Sequence, residues 1–126
     1  MPAVDSNVIV RLIAQDNPQQ TAAAAEFVEK GVSVSILALA EAIWVLRKAY
    51  QRDHSALIGI LEKLLSNKHL ILQDPDAVAA ALELYRSKPS LGFSDCLILE
   101  LPRKAGQLPL GTFDRGLARV HGTQKL

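Results

Sequence analysis

Thirteen acids occur in the 126-residue chain, and four of them fall at or soon after the start of a helical stretch. Asp5 follows the apolar start Ala3-Val4, and Glu41 lies early in the helical stretch after Val32-Ser33-Val34-Ser35-Ile36. Asp95 opens the run Asp95-Cys96-Leu97-Ile98-Leu99, and Asp114 follows the extended segment Leu108–Thr112. In a parallel α/β sheet the carboxyl ends of the strands are where ligands bind. Glu41 and Asp95 interrupt strongly apolar segments, where an uncompensated carboxylate is expensive. A helix N-terminus offsets that by under ~1 kcal/mol at an exposed site and does not hold four like charges together. A divalent cation does, and oxygen-only ligands suit Mg²⁺ or Mn²⁺. Each acid also has a plainer reading. Asp5 fits a cap or turn residue, Asp95 and Asp114 fit charges at helix starts, and Glu41 fits the partner of a lysine or arginine. It is the joint placement that points to a bound cation.

The residues around these acids divide the same way. Ser6, Asn7 and Thr112 flank them and could orient carboxylates or cap helices. Arg115 and Arg119, one helical turn apart beside Asp114, could hold phosphate or face solvent. His54, His69 and His121 have no motif context, so surface or capping roles suit them. Cys96 reads as a buried structural thiol, since no histidine lies near it in sequence. Trp44, on an apolar helix, reads as core. Phe27, Ile43, Leu46 and Tyr50, or the Ser55–Leu65 helix, could instead form part of a partner groove.

The elements that must position these groups alternate short apolar runs with longer periodic stretches, the order of an α/β fold with a mainly parallel sheet of four to five short strands. Ala3-Val4 begins a strand, and Ser6 or Asn7 can cap a helix over Val8–Ala14. Asn17-Pro18 starts a second helix, which Gly31 ends. Val32–Ile36 alternates with period two and predicts a strand, followed by a helix over Leu39–Tyr50. Ser55 can cap a helix through Leu65. His69–Leu72 is a short strand, and Asp74-Pro75 opens a helix to about Ser87. A helix over Asp95–Ala105 is capped by Ser94 and closed by Gly106, with Pro102 expected to kink or shorten it. Leu108–Thr112 is a strand, Asp114–Val120 the last helix, and the tail a brief edge strand or a frayed end.

Composition sets the outer limits. The chain is 49% hydrophobic and 21% charged, which is a packed single domain over residues 1–126 rather than a disordered segment. Lys and Arg number 14 against 13 acids, a net charge of +1, so global charge neither favours nor excludes nucleic acid. The segment from Arg103 to the C-terminus is locally basic, with Arg103, Lys104, Arg115, Arg119 and Lys125 against Asp114. The single cysteine rules out an internal disulfide and a cysteine-built zinc site, and fits a cytoplasmic protein. No apolar run reaches the roughly 18 residues of a membrane span, and no basic leader precedes the first strand. Few aromatics argue against a base-stacking platform for single strands.

Four segments carry a resemblance. Val4-Asp5-Ser6-Asn7-Val8 resembles the opening motif of the PIN-domain family, and Ala40-Glu41-Ala42-Ile43-Trp44-Val45-Leu46 resembles its glutamate-bearing helix. Gly92-Phe93-Ser94-Asp95-Cys96-Leu97-Ile98-Leu99 resembles the family's "DALIL" segment, with Cys96 where alanine is more usual. Thr112-Phe113-Asp114-Arg115-Gly116-Leu117-Ala118-Arg119 resembles its "TFD" motif. The match spans nearly the whole chain and looks most like the VapC-type toxin ribonucleases. Pro102 inside the helix after Asp95, and a tail short for the family's final strand, depart from the pattern. The resemblance implies a three-layer α/β/α fold and an acidic pocket holding Mg²⁺ or Mn²⁺. It also implies endoribonuclease activity, a homodimer, and a small VapB-type antitoxin that blocks the site. Asp5 and Asp95 would be direct metal ligands, with Glu41 and Asp114 completing the set. Rival readings are a PIN-like nuclease acting on DNA or in RNA processing, a catalytically dead PIN-like binding module, and a non-enzymatic Mg²⁺-binding receiver-type module. The last needs a lysine where Thr112-Phe113 stand.

Overall fold

The computed structural model describes residues 1–126 and divides into two compact units, Met1–Pro75 and Asp76–Leu126. The class is mixed α/β, with six α-helices and five short strands that all pair in parallel, as expected for a PIN-like α/β/α fold.

The first unit holds a three-stranded sheet of β1 (Ala3–Val4), β2 (Val32–Val34) and β3 (Leu70–Leu72), in chain order. Its register stacks Val4, Val34 and Leu72 in one row, all buried, and Ala3, Ser33 and Ile71 in the next, all more open. This is the period-two alternation of a sheet with one packed face. Two helices connect each strand pair: α1 (Ser6–Ala14) and α2 (Pro18–Val28), then α3 (Ile36–Lys48) and α4 (His54–Ser66). Parallel neighbours require such crossovers. The core holds Ile9 and Val10 of α1, Leu39 and Leu46 of α3, and Leu57 and Leu61 of α4, each at 1% exposure or less.

Each helix start has a chemical cause. Asp5 accepts from the Val8 amide, Asn17 from Gln20, Ser35 from Ala38 and Asp53 from Ala56, at 2.8–3.1 Å. Each satisfies an amide that the first helical turn leaves unpaired. Two expectations shift accordingly. The cap of α1 is Asp5, not Ser6 or Asn7, and that of α4 is Asp53, not Ser55. The second strand stops at Val34 because the Ser35 hydroxyl nucleates α3 there, three residues earlier than the expected Leu39. Gly31 ends the α2 turn at φ +95°, a conformation that disfavours any side chain.

The second unit contains α5 (Pro75–Ser87) beyond its first residue, α6 (Phe93–Ala105), and a two-stranded sheet of β4 (Leu110–Thr112) and β5 (Thr123–Lys125). Tyr85 and Phe93 pack edge to face at 5.9 Å, and Val78, Ala81, Leu97 and Leu99 of the same helices are buried as well. Helix α6 begins at Phe93 after Gly92, not at a Ser94 cap, and it runs through Pro102 to Ala105. Gly106, at φ +73°, closes it as expected. Strand β4 starts after the cis Leu108–Pro109 bond. The last helix is reduced to a 3-10 turn over Leu117–Arg119, and the tail forms a strand. No helix is long and apolar enough to cross a membrane.

Candidate functional site

Each unit presents a pair of the expected carboxylates. In the first, Asp5 sits between β1 and α1 and Glu41 lies in the second turn of α3, both exposed. Helices α1 and α3 pack together, and the two acids line one open hollow of about 540 Å³ with Ser6, Asn7, Ser35, Leu37 and Ala38. Ser6 is buried there, while Asn7 is exposed on the rim. The Asp5 cap uses Oδ1 on the Val8 amide at 3.1 Å. A carboxylate carries about four lone-pair sites over two oxygens, so the cap fixes the group without exhausting it.

Glu41 corrects an expectation. It breaks an apolar run in the sequence, yet it is exposed, on the same face of α3 as Leu37 and Trp44, which are 77% and 57% exposed. The apolar residues that pack are Leu39, Ala42, Ile43 and Leu46. Trp44 is therefore a surface residue and not core, and Ile43 and Leu46 are core rather than a groove.

A second hollow of about 430 Å³ shares Asp5 and Asn7 and is lined further by Arg11, Gln20 and Phe27. Arg11 donates through Nε to Gln20 Oε1 and through Nη1 to Tyr50 Oη at 2.9 Å. The Tyr50 hydroxyl donates to Asp16 Oδ2 at 2.9 Å. Sequence reading missed this cation beside Asp5. Its signal was the same as that of Glu41: one charge inside the apolar run Val8-Ile9-Val10-Arg11-Leu12-Ile13.

In the second unit Asp95 lies in the first turn of α6, half-buried, where the free amides of a helix start favour a negative charge. Asp114 is exposed after β4 and is held twice. Its amide donates to Thr112 Oγ1 at 3.0 Å, and its Oδ1 accepts from the Leu117 amide at 2.8 Å. Thr112 thus orients the backbone of its acid. Leu91 and Gly92 connect the two turns. Asp95 Oδ2 lies 3.8 Å from where a Cβ on Gly92 would stand. A Cβ on Gly116 would meet Asp114 Oδ1 at 3.3 Å and Leu91 Cδ2 at 3.5 Å, so a side chain there would press on the carboxylate. Arg115 and Arg119 are exposed, but the 3-10 turn replaces the helix that was to space them.

Cys96 follows Asp95 and is fully buried; burial above all, then the charges of Asp95 and Glu100, push its thiol up to about 12. A thiol so protonated is neither nucleophile nor ligand at neutral pH. The carboxylates are a hard, oxygen-only donor set, the kind that suits a Mg²⁺-type cation. Within neither unit do three or more His, Cys, Asp or Glu side chains gather in metal-holding geometry.

A family model for the PIN domain matches residues 3–122. The chain belongs to the PIN-domain family. Membership implies a nuclease, and PIN-domain nucleases typically use divalent metals. No curated protein matches the chain.

Proposed function

We propose that this PIN-domain chain is a metal-dependent endoribonuclease, the toxin of a VapBC-type toxin–antitoxin pair. In this reading it hydrolyses RNA phosphodiesters as a cytoplasmic homodimer, and a small VapB-type antitoxin blocks it. Residues 1–126 act as one domain, a reading supported by a single family model spanning 3–122. Asp5, Glu41, Asp95 and Asp114 are the catalytic and metal-binding set, and Mg²⁺ or Mn²⁺ is the cofactor.

The observation that carries the reading is the common hollow of Asp5 and Glu41, two distant acids brought onto one open surface inside a nuclease family. The chemistry a divalent cation supplies when bound is acidification of water and neutralisation of charge at the phosphate. The chain's own contribution is positioning. Asp5 and Asp114 each fix one carboxylate oxygen on a backbone amide, so neither group must be ordered when substrate arrives. Thr112 sets the backbone of Asp114, and Ser6 and Asn7 border the acid of α1. Arg115 and Arg119 supply exposed cations for the RNA backbone.

The test is cleavage of a mixed RNA pool, with single-stranded and duplex DNA alongside, in EDTA and after return of Mg²⁺ or Mn²⁺. RNA fragments that appear only with metal, and vanish in Asp95→Asn, support the reading. Full activity in EDTA overturns the metal assignment, and preference for DNA overturns the toxin assignment.

A further inference from the structure

Phe113 stands between Thr112 at the end of β4 and Asp114, and it is 78% exposed. Leaving a phenylalanine in water forgoes the gain from burying its ring. The ring does not hang from a slack loop. The Asp114 amide is bound to Thr112 Oγ1, the Leu117 amide to Asp114 Oδ1, and the Leu126 amide to the Thr112 carbonyl at 2.9 Å. The backbone on both sides of the ring is therefore fixed.

The charges around it indicate what it meets. Asp114 and Arg115 follow it directly, both exposed, and exposed Lys125 lies in register with Thr112 on β5. An apolar protein surface closing over Phe113 would strip water from an acid and two cations, which is costly without matched partners. A single-stranded nucleotide avoids that cost. Its base offers a flat π face to the ring, its phosphate an anion to Arg115 or Lys125, and the charges stay wet. We propose that Phe113 is a substrate-binding residue that stacks on one unpaired RNA base beside Asp114. This rests on the nuclease reading above and refines the sequence argument: one ring is no platform, but it seats one base. Stacking tolerates any base, so Phe113 contributes affinity and register rather than a sequence code.

The experiment measures binding of a fluorescein-labelled single-stranded RNA to the full chain in EDTA, by anisotropy, for parent, Phe113→Leu and Phe113→Tyr. Loss of one stacked base weakens binding about 5- to 150-fold in Phe113→Leu, while Phe113→Tyr stays within about 2-fold. A set of RNAs, each with one abasic position, then gives one position that weakens the parent and is silent in Phe113→Leu. Equal binding by parent and Phe113→Leu overturns the proposal. So does parallel loss in both variants with a lowered Tm, which marks a structural role, and so does a parent that binds no RNA. Retained RNA affinity in Phe113→Leu with lost binding of a protein partner assigns the ring to that partner and also overturns it. A parent that binds through Phe113 but cleaves nothing removes the nuclease reading and leaves the stacking.

Discussion

The Asp114 carboxylate accepts a 2.8 Å hydrogen bond from the amide of Leu117, and Asp5 repeats the relationship with Val8 at 3.1 Å. Two acids proposed for chemistry thus also hold a backbone amide, Asp5 as the cap of α1, and the two roles use different properties. A cap needs a side-chain oxygen acceptor; binding a cation needs the negative charge. Asparagine keeps the first and loses the second.

That separation gives the first prediction. Asp5→Asn should unfold within a few tenths of a kcal/mol of the parent, and Asp5→Ala should lose about 0.5–2 kcal/mol with its cap. Both should lose cleavage by on the order of 100-fold or more, the scale of removing a group that offsets charge in a transition state. Urea denaturation and RNA cleavage on the same samples check it. Parent-level cleavage by Asp5→Asn would leave Asp5 a cap alone.

Cys96 yields a prediction in pH. Its thiol, ordinarily at 9.0, is held at about 12 in the fold. Between those values the folded chain keeps a proton that the unfolded chain has lost, so stability falls as pH rises. The contribution is complete below pH 9.0 and lost as pH rises towards about 12. The denaturation midpoint should drop more steeply over that window in the parent than in Cys96→Ala. At pH 8 a thiol reagent should label unfolded but not native protein. Rapid native labelling would refute the burial.

Much of the fold was legible because its signals are local. Asn17-Pro18, Asp74-Pro75 and Gly106 mark helix ends through backbone chemistry that depends on few neighbours, and the structure keeps all three boundaries. Where two local signals compete, local chemistry alone does not fix the boundary. Ser35 fits both the alternation of a strand and a cap, and the cap prevails because it satisfies the Ala38 amide. The stretch after Asp114 carries helix-like residues but only three between Gly116 and extended Val120, too few for an α-helical ladder. Trp44 was misplaced because the apolar run hides which face is outward. Leu37, Glu41, Trp44 and Lys48, spaced as one face of a helix, carried that information. That Asp5 and Glu41 line one hollow was not legible. Asp5 and Glu41 share a hollow only because α1 and α3 pack, a long-range fact that no local spacing encodes.

The contacts of Arg11 suggest a stability test. Its guanidinium reaches Tyr50, whose hydroxyl passes a hydrogen bond to Asp16, and Arg11 and Asp16 also form a 3.6 Å ion pair. The group joins α1, the turn before α2 and the residues just after α3. Tyr50→Phe keeps the ring and removes both hydrogen bonds, so it should cost about 1–3 kcal/mol at roughly 0.5–1.5 kcal/mol each. The direct Arg11–Asp16 pair is partly exposed and should contribute under about 1 kcal/mol, declining with salt. Denaturation of Tyr50→Phe and Asp16→Asn at low and high salt separates the two. A Tyr50→Phe protein as stable as the parent would show the network to be incidental.

Trp44 and Leu46 make the sharpest contrast on one helix. They are two residues apart on α3, yet Trp44 is 57% exposed and Leu46 fully buried. Trp44→Gln should therefore change stability by no more than about 0.5 kcal/mol, and Leu46→Ala should cost about 2–5 kcal/mol. Trp44 is the only tryptophan, so the emission of the parent reports this one site. In dilute protein it should be red-shifted and readily quenched by acrylamide. Blue-shifted, protected emission that turns red on dilution would mean that a second copy covers this face. Blue emission that persists at every dilution, together with a large loss of stability in Trp44→Gln, would return Trp44 to the core and place Glu41, on the same face, out of solvent.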